Sequence, residues 1–249
     1  MPTLAAVVNA VADGTTDVGL APFYNTNFLS VYETQAEIIK RPKKVYVRNI
    51  FKLPVKHFLC GFGELENVTE IRSKSVVFHQ VSEWLKAHRS GCEQKDCEST
   101  SAAVSSLLPT KAVHVAAIGT KSACKAYGVP VIAGNIQNRP NVTLFFELVK
   151  DEPNPVNCHY VLMCVPAATE NDKQVVEDEL AECNCGISAN WRLHSKTMKP
   201  GKSEPYFFEI NGQFQMLDLN TAVGRIKRKF KKSFLVGGYT GTKISDLVS

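Results

Sequence analysis

The chain has 249 residues, 44% of them hydrophobic and 21% charged, with a formal net charge of +5. That balance excludes a disordered chain, and the length suffices for one large domain or two modest ones. No run approaches the roughly 18 apolar residues of a membrane helix. The opening stretch, MPTLAAVVNAVADG, has no basic segment, and Asp13 interrupts its apolar run. It reads as an amphipathic helix and not a secretion signal, so a cytoplasmic location is expected.

In chain order, helix is predicted over about residues 3–13 with Gly14 as its stop. Thr16–Ala21 reads as a buried strand that delivers Asn25 and Thr26 to its C-terminal edge. Helix returns over about Phe28–Lys40 and breaks at Pro42. Lys43–Phe51 alternates as a strand, Val55–Cys60 continues as one, and Val76–His88 is helical with Ser73 or Ser75 as its cap. Ser99-Thr100-Ser101 opens a helix running to about Leu108. Val113–Ile118 is a buried strand, Thr120 caps a short helix stopped by Gly128, and strands follow at Val131–Ala133 and Val142–Val149. Alternation of this kind predicts parallel βαβ units, whose ligands bind at the carboxyl ends of strands.

Lys150–Pro155, with two prolines and three charges, reads as a linker. Beyond it the pattern gives a strand (Cys158–Val165), a helix (Thr169–Ala181), strands at Asn190–Lys196 and Tyr206–Ile210, a helix (Asn220–Lys231) and a strand (Phe234–Gly238). That is the βαββαβ order of a ferredoxin-like module. The fold class expected is therefore α/β, with one domain over residues 1–150 and a second over 155–240.

The eight cysteines have neither zinc-pair spacing nor histidine partners, so buried free thiols and no metal are expected. His57, His79 and His114 lack a companion at triad-like or metal-like spacing and read as structural. The basic runs Lys40–Lys44 and Arg225–Lys232 read as solvated faces, with no nucleic-acid role assigned.

Several motifs in order carry a family resemblance. Val18–Val31 is similar to a run ending Pro-Ile-Glu-Asn-Ser-x-x-Gly-Ser-Val. Ser73–Leu85 (SKSVVFHQVSEWL) resembles Ser-x-Pro-x-Ala-Leu-x-Gln-Cys-x-x-Trp-Leu, and Glu98–Ala103 stands in for Asp-Ser-Thr-Ala-Ala-Ala. Ala116–Ile118, Tyr127–Val129 and Asn135–Asn138 keep the order of the next stretch, and Asn141-Val142-Thr143-Leu144-Phe145 matches Asn-x-Thr-Arg-Phe. These runs resemble the prephenate dehydratase family. Leu193–Asn211 and Phe234–Tyr239 resemble the ACT regulatory module that follows its catalytic domain.

The resemblance implies a two-lobed, periplasmic-binding-protein-like α/β catalytic domain followed by an ACT-like domain. It also implies a lyase acting on prephenate or a related cyclohexadienyl acid, without a cofactor. It gives Thr143 as the catalytic residue, hydrogen-bonded to the departing hydroxyl. Asn25, Thr26, Ser73, Lys74, Gln80, Ser99 and Thr100 become the candidate substrate-binding residues. The expected partners are a small-molecule carboxylate and a second copy of the chain in a homodimer, with neither nucleic acid nor membrane.

The departures carry expectations too. The likeness begins after the family's first strand and its Gly-Pro-x-Gly-Thr loop. Leu144 replaces the arginine that grips a substrate carboxylate, which leaves that carboxylate facing hydrocarbon, with Lys74 or Arg139 as the compensating cation. Pro166–Thr169 and His194–Thr197 replace the feedback motifs, which implies loss of phenylalanine feedback. Two alternatives stay open: a non-aromatising prephenate decarboxylase, and a non-catalytic small-molecule-binding protein on the same scaffold.

Overall fold

A computed structural model describes residues 3–26, 29–152, 154–167, 169–193, 204–211 and 216–248. Internal contacts divide the chain into two units, one of Met1–Leu53 with Val142–Ser249, the other of Pro54–Asn141. The chain passes once from the first unit into the second and returns.

Unit 1 opens with α1 (Leu4–Ala12), β1 (Val18–Asn25), β2 (Leu29–Ser30), α2 (Tyr32–Ile39) and β3 (Tyr46–Pro54). Thr3 caps α1, its hydroxyl accepting the Ala6 amide at 3.1 Å, and Gly14 follows the helix in the left-handed region at φ +74°. α1 lies so close on β1 that a Cβ at Gly19 would come within 2.7 Å of Val11, which accounts for glycine there. The helix expected from Phe28 starts only at Tyr32, because Leu29–Ser30 pairs with Tyr24–Asn25 as a strand. Phe28 itself lies outside the described residues.

Unit 2 holds β4 (Phe58–Gly61), β5 (Glu70–Ser73), α3 (Ser75–Gln80), α4 (Ser82–His88), β6 (Glu93–Asp96), α5 (Thr100–Ser105), β7 (Val115–Gly119), α6 (Lys121–Tyr127) and β8 (Val131–Gly134). Its sheet runs β6-β5-β7-β4-β8. β5 pairs parallel with β6 and β7, whereas β4 pairs antiparallel with β7 and β8. The expected parallel βαβ pattern is thus only partly present. α6 forms as its residues dictate: Thr120 accepts the Ala123 amide at 3.1 Å, and Gly128 ends the helix at φ +65°.

The chain re-enters unit 1 through β9 (Val142–Val149), followed by β10 (Tyr160–Val165), α7 (Glu170–Glu182), β11 (Ile187–Arg192), β12 (Tyr206–Asn211), α8 (Met216–Lys229), β13 (Phe234–Tyr239) and α9 (Ile244–Val248). The βαββαβ order is present, with strands arranged β11-β12-β10-β13. Thr169 and Asp172 cap α7 reciprocally, each side chain accepting the other's amide at 3.0 Å. α8 turns Leu219, Ala222, Val223 and Ile226 inward. Two of its cations are paired with α7, Arg225 to Glu182 at 2.8 Å and Lys229 to Glu179 at 2.6 Å. The segment His194–Thr197 lies outside the described residues.

Among the described residues, the eight strands of unit 1 form one sheet, β11-β12-β10-β13-β3-β9-β1-β2. β13 joins β3 in parallel at Gly237 and Val47, where a Cβ on Gly237 would lie 2.1 Å from the Val47 carbonyl oxygen. One core runs from Val8, Val11 and Phe23 through Leu144 and Phe146 to Phe207, Val236 and Tyr239. A second, under α7 and α8, holds Val161, Met163, Val176, Phe208 and Ile226. All eight cysteines are free thiols, five of them buried, and burial pushes the Cys164 thiol up to about 12. Among the described residues no helix is long and apolar enough to cross a membrane.

Glu209 is the anomaly in the first core. Its carboxylate is wholly buried on β12, accepting the Tyr239 hydroxyl and the Ile244 amide (2.9 Å), while Oε2 has no hydrogen-bond partner. Burial raises its pKa above the ordinary 4.5, against the lowering effect of those two donors. A carboxyl with a raised folded-state pKa contributes stability that is complete below about 4.5 and is lost as pH rises through the folded value. Glu209→Gln keeps one acceptor oxygen and removes the charge. Chemical denaturation of this variant should show greater stability than the parent at pH 7 and no difference near pH 4; equal stability at both would contradict the assignment.

Candidate functional site

β1 and β9 pair antiparallel, and their register holds one irregularity. Pro22 faces Phe145, Tyr24 faces Leu144, and Phe23 is the extra residue between them. Strict alternation would set Asn25 on the same face as Ala21 and Phe23, towards the core. The bulge shifts the parity by one, so Asn25 instead lies opposite Thr143. Its Nδ2 donates to Thr143 Oγ1 at 2.8 Å. Asn25 is buried and Thr143 half-buried.

Thr26 closes the same corner. Its amide donates to the Val142 carbonyl, and its hydroxyl accepts the Val142 amide, both at 3.0 Å. The backbone beside the Asn25–Thr143 bond is thus fixed by a pair of hydrogen bonds. Because Asn25 donates to Thr143, the threonine oxygen is held as an acceptor and its own proton points elsewhere.

Leu144 needs a correction. It is 0% exposed and packs in the first core with Phe146 and Leu148, on the face of β9 opposite Thr143. The expectation that a substrate carboxylate would face its hydrocarbon side chain therefore fails. Period-two alternation makes neighbours on a strand point apart, and Thr143 and Leu144 are neighbours.

The other candidates lie on unit 2. Gln80, at the end of α3, has its Oε1 2.6 Å from Nε2 of His57. A carbonyl oxygen only accepts, so Nε2 carries the proton and Nδ1 is left as a buried acceptor without a partner. His57 is 4% exposed, and desolvation lowers its pKa from 6.5, outweighing the raising effect of Gln80. α3 stops at Val81, and Asn138 holds the break together. Its amide donates to Gln80 O (2.8 Å), its Nδ2 to His79 O (3.1 Å), and its Oδ1 accepts the Glu83 amide (3.0 Å). Gln137 Oε1 accepts the His57 amide at 3.1 Å. Gln137 and Asn138 were not singled out in the sequence, where the Asn135–Asn138 match was their only signal, and His57 was read there only as a structural histidine.

Ser73 does not cap α3. Its buried hydroxyl donates to the Ile118 carbonyl at 3.0 Å, and the Ser75 amide donates instead to Asp96 Oδ1 at 2.6 Å. That partner comes from the end of β6, which no local motif announces. Lys74 is exposed at the start of α3, and Arg139 is exposed too. Ser99 caps α5 as expected, accepting the Ala102 amide at 3.0 Å, with Thr100 half-buried beside it. Among the described residues no group of three or more His, Cys, Asp or Glu is placed to hold a metal ion.

Comparison with known proteins gives consistent neighbours. The sequence profile described as "Prephenate dehydratase" matches residues 1–153. The prephenate dehydratase of Lactococcus lactis subsp. lactis (strain IL1403) is 26% identical over 147 residues, 59% of this chain and 52% of that protein. The chain thus spans about half the length of that curated relative. Among solved structures, the Arthrobacter aurescens prephenate dehydratase in complex with L-Phe has a TM-score of 0.76 at 18% identity, covering 97% of this chain and 80% of that one. The Staphylococcus aureus subsp. aureus Mu50 enzyme gives 0.77 at 18%, covering 96% and 88%. GqqA, described as a novel type of quorum-quenching acylase, gives 0.78 at 15%, covering 98% and 89%. At such identities the structural likeness is one of fold.

The His57–Gln80 contact yields a pH dependence. Protonating Nδ1 would place an unsatisfied charged donor in a buried site, so the folded state resists the proton that the unfolded chain accepts near 6.5. A depressed folded-state pKa means that this stability is present above 6.5 and lost as pH falls below it. Unfolding free energy measured from pH 7 down to 5 should fall more steeply in the parent than in His57→Gln. Parallel slopes would show that His57 is not the group responsible.

Proposed function

The chain belongs to the prephenate dehydratase family, and on that premise we propose that it is a carbon–oxygen lyase acting on prephenate or a related cyclohexadienyl acid. The reaction is a decarboxylative dehydration. As the bond to the ring carboxylate breaks, its electron pair enters the ring and carbon dioxide departs. The ring carbon–oxygen bond breaks at the opposite carbon, the hydroxyl takes up one proton and leaves as water, and the ring becomes aromatic.

The observation that carries this reading is the Asn25–Thr143 hydrogen bond in a chain of this family. Thr143 is too weak an acid to protonate the leaving group outright. A hydroxyl whose oxygen is held by an amide can still direct its proton at a departing oxygen, and orientation then supplies the effect. Asn25 and Thr26 hold the pyruvyl end. In unit 2, Ser99, Thr100 and Gln80 are the substrate-orienting candidates that the family's motifs supply, with Gln80 kept in place by His57. Lys74 supplies a cation for a carboxylate, as a point charge without the planar fork of arginine. The buried, bonded hydroxyl of Ser73 acts through the sheet and not on the substrate.

Because GqqA shares the fold at 15% identity, the scaffold alone does not choose the chemistry, and turnover has to be measured. The protein should convert prephenate to an ultraviolet-absorbing phenylpyruvate with matching release of carbon dioxide. Thr143→Ser should retain most of the rate, whereas Thr143→Ala should lower kcat by about 100- to 10,000-fold. Turnover indifferent to Thr143→Ala would remove that residue from the mechanism. Carbon dioxide without an aromatic product would replace dehydration by non-aromatising decarboxylation, and binding without turnover would leave a binding protein.

A further inference from the structure

Gln35 lies on α2, wholly buried, between two strands distant in sequence. Its Nε2 donates to the Phe23 carbonyl at 2.9 Å, and its Oε1 accepts from the indole nitrogen of Trp191 on β11 at 3.2 Å. Neither contact can be reversed, because a carbonyl only accepts and an indole only donates. Phe23 is the bulge residue, so its carbonyl is the one that the extra residue displaces from simple pairing. It also accepts the Val31 amide at 2.8 Å.

The side chain of Phe23 is gripped as well. Its ring stacks on Phe146 with centroids 3.6 Å apart and planes 6° from parallel. It tilts against Trp191 at 6.4 Å, and Trp191 in turn stacks on Phe207 at 5.5 Å and 4°. A column of four rings and one carboxamide therefore ties the βαββαβ module to the single irregularity that decides which face Asn25 takes.

We infer that Trp191 and Gln35 are positioning residues for the Asn25–Thr143 pair: the C-terminal module holds the β1 bulge, and the bulge aims Asn25. The kinetic consequence rests on the function proposed above; the geometric one does not. Neither residue need touch the substrate.

The test uses the full chain labelled with nitrogen-15. The side-chain amide signals of Asn25 are identified by their loss in Asn25→Ala, and those of Asn138 report folding of the other unit. Trp191→Phe keeps a smaller aromatic ring and removes the donor, and Gln35→Met keeps the length and removes both hydrogen bonds. In each, the Asn25 Nδ2 signals should move towards those of a free amide and exchange faster with solvent, while the Asn138 signals stay. With prephenate, Trp191→Phe should lower kcat about tenfold or more with KM within about twofold, and should cause no further loss in an Asn25→Ala background. Unmoved Asn25 signals in both variants would overturn the inference whatever the turnover. Additive losses with Asn25→Ala, or loss of folding in both variants, would reduce the pair to a purely structural role. If the parent does not turn over prephenate, the proposed function fails while the spectra still decide this inference.

Discussion

The bulge at Phe23 is the constraint on which the site depends, and it is held both by packing of its ring and by the two hydrogen bonds to its carbonyl. A neutral hydrogen bond such as Asn25–Thr143 contributes on the order of 0.5–1.5 kcal/mol net. Burying the Phe23 ring contributes about 1.5–3 kcal/mol. A weak polar contact is thus aimed by a more firmly held residue. Returning β1 to regular pairing would turn Asn25 to the core face and require an amide to be buried among hydrocarbons, which disfavours the alternative further.

Unit 2 works by the reverse device. Gln80 is oriented by polar partners from both sides, His57 at its carboxamide and Asn138 at its backbone. The cost is a buried imidazole with one unpartnered nitrogen, tolerable only while the ring is neutral. Glu209 is a similar compromise in unit 1, where one carboxylate fastens Tyr239 and the start of α9 but leaves an oxygen unsatisfied. In both cases a buried polar group fixes geometry and couples it to pH.

Much of this was legible in the residues because much of it is local. The bounds of β9, the Thr120 and Gly128 ends of α6 and the βαββαβ order all follow from alternation, capping and turn chemistry. What was not legible is non-local. Antiparallel pairing of β1 with β9 arises because the chain leaves unit 1 and returns, which periodicity within either strand does not encode. The Asp96 cap of α3, the Asn138 staple at Val81 and the His57–Gln80 contact each join residues at least 21 positions apart. The same holds for Leu144. Motif matching marked its departure from the family run, but strand geometry shows that it faces the core and that the missing guanidinium is not a gap beside Thr143.

The chain belongs to the prephenate dehydratase family, and the bulge supplies the reason for proposing Thr143 as the acting hydroxyl. The central claim is that Asn25 works through Thr143. A double-mutant cycle on prephenate aromatisation tests it directly, comparing Asn25→Ala, Thr143→Ala and the double variant. If the claim holds, adding Asn25→Ala to Thr143→Ala produces little further loss in kcat. Independent, multiplicative losses would contradict it.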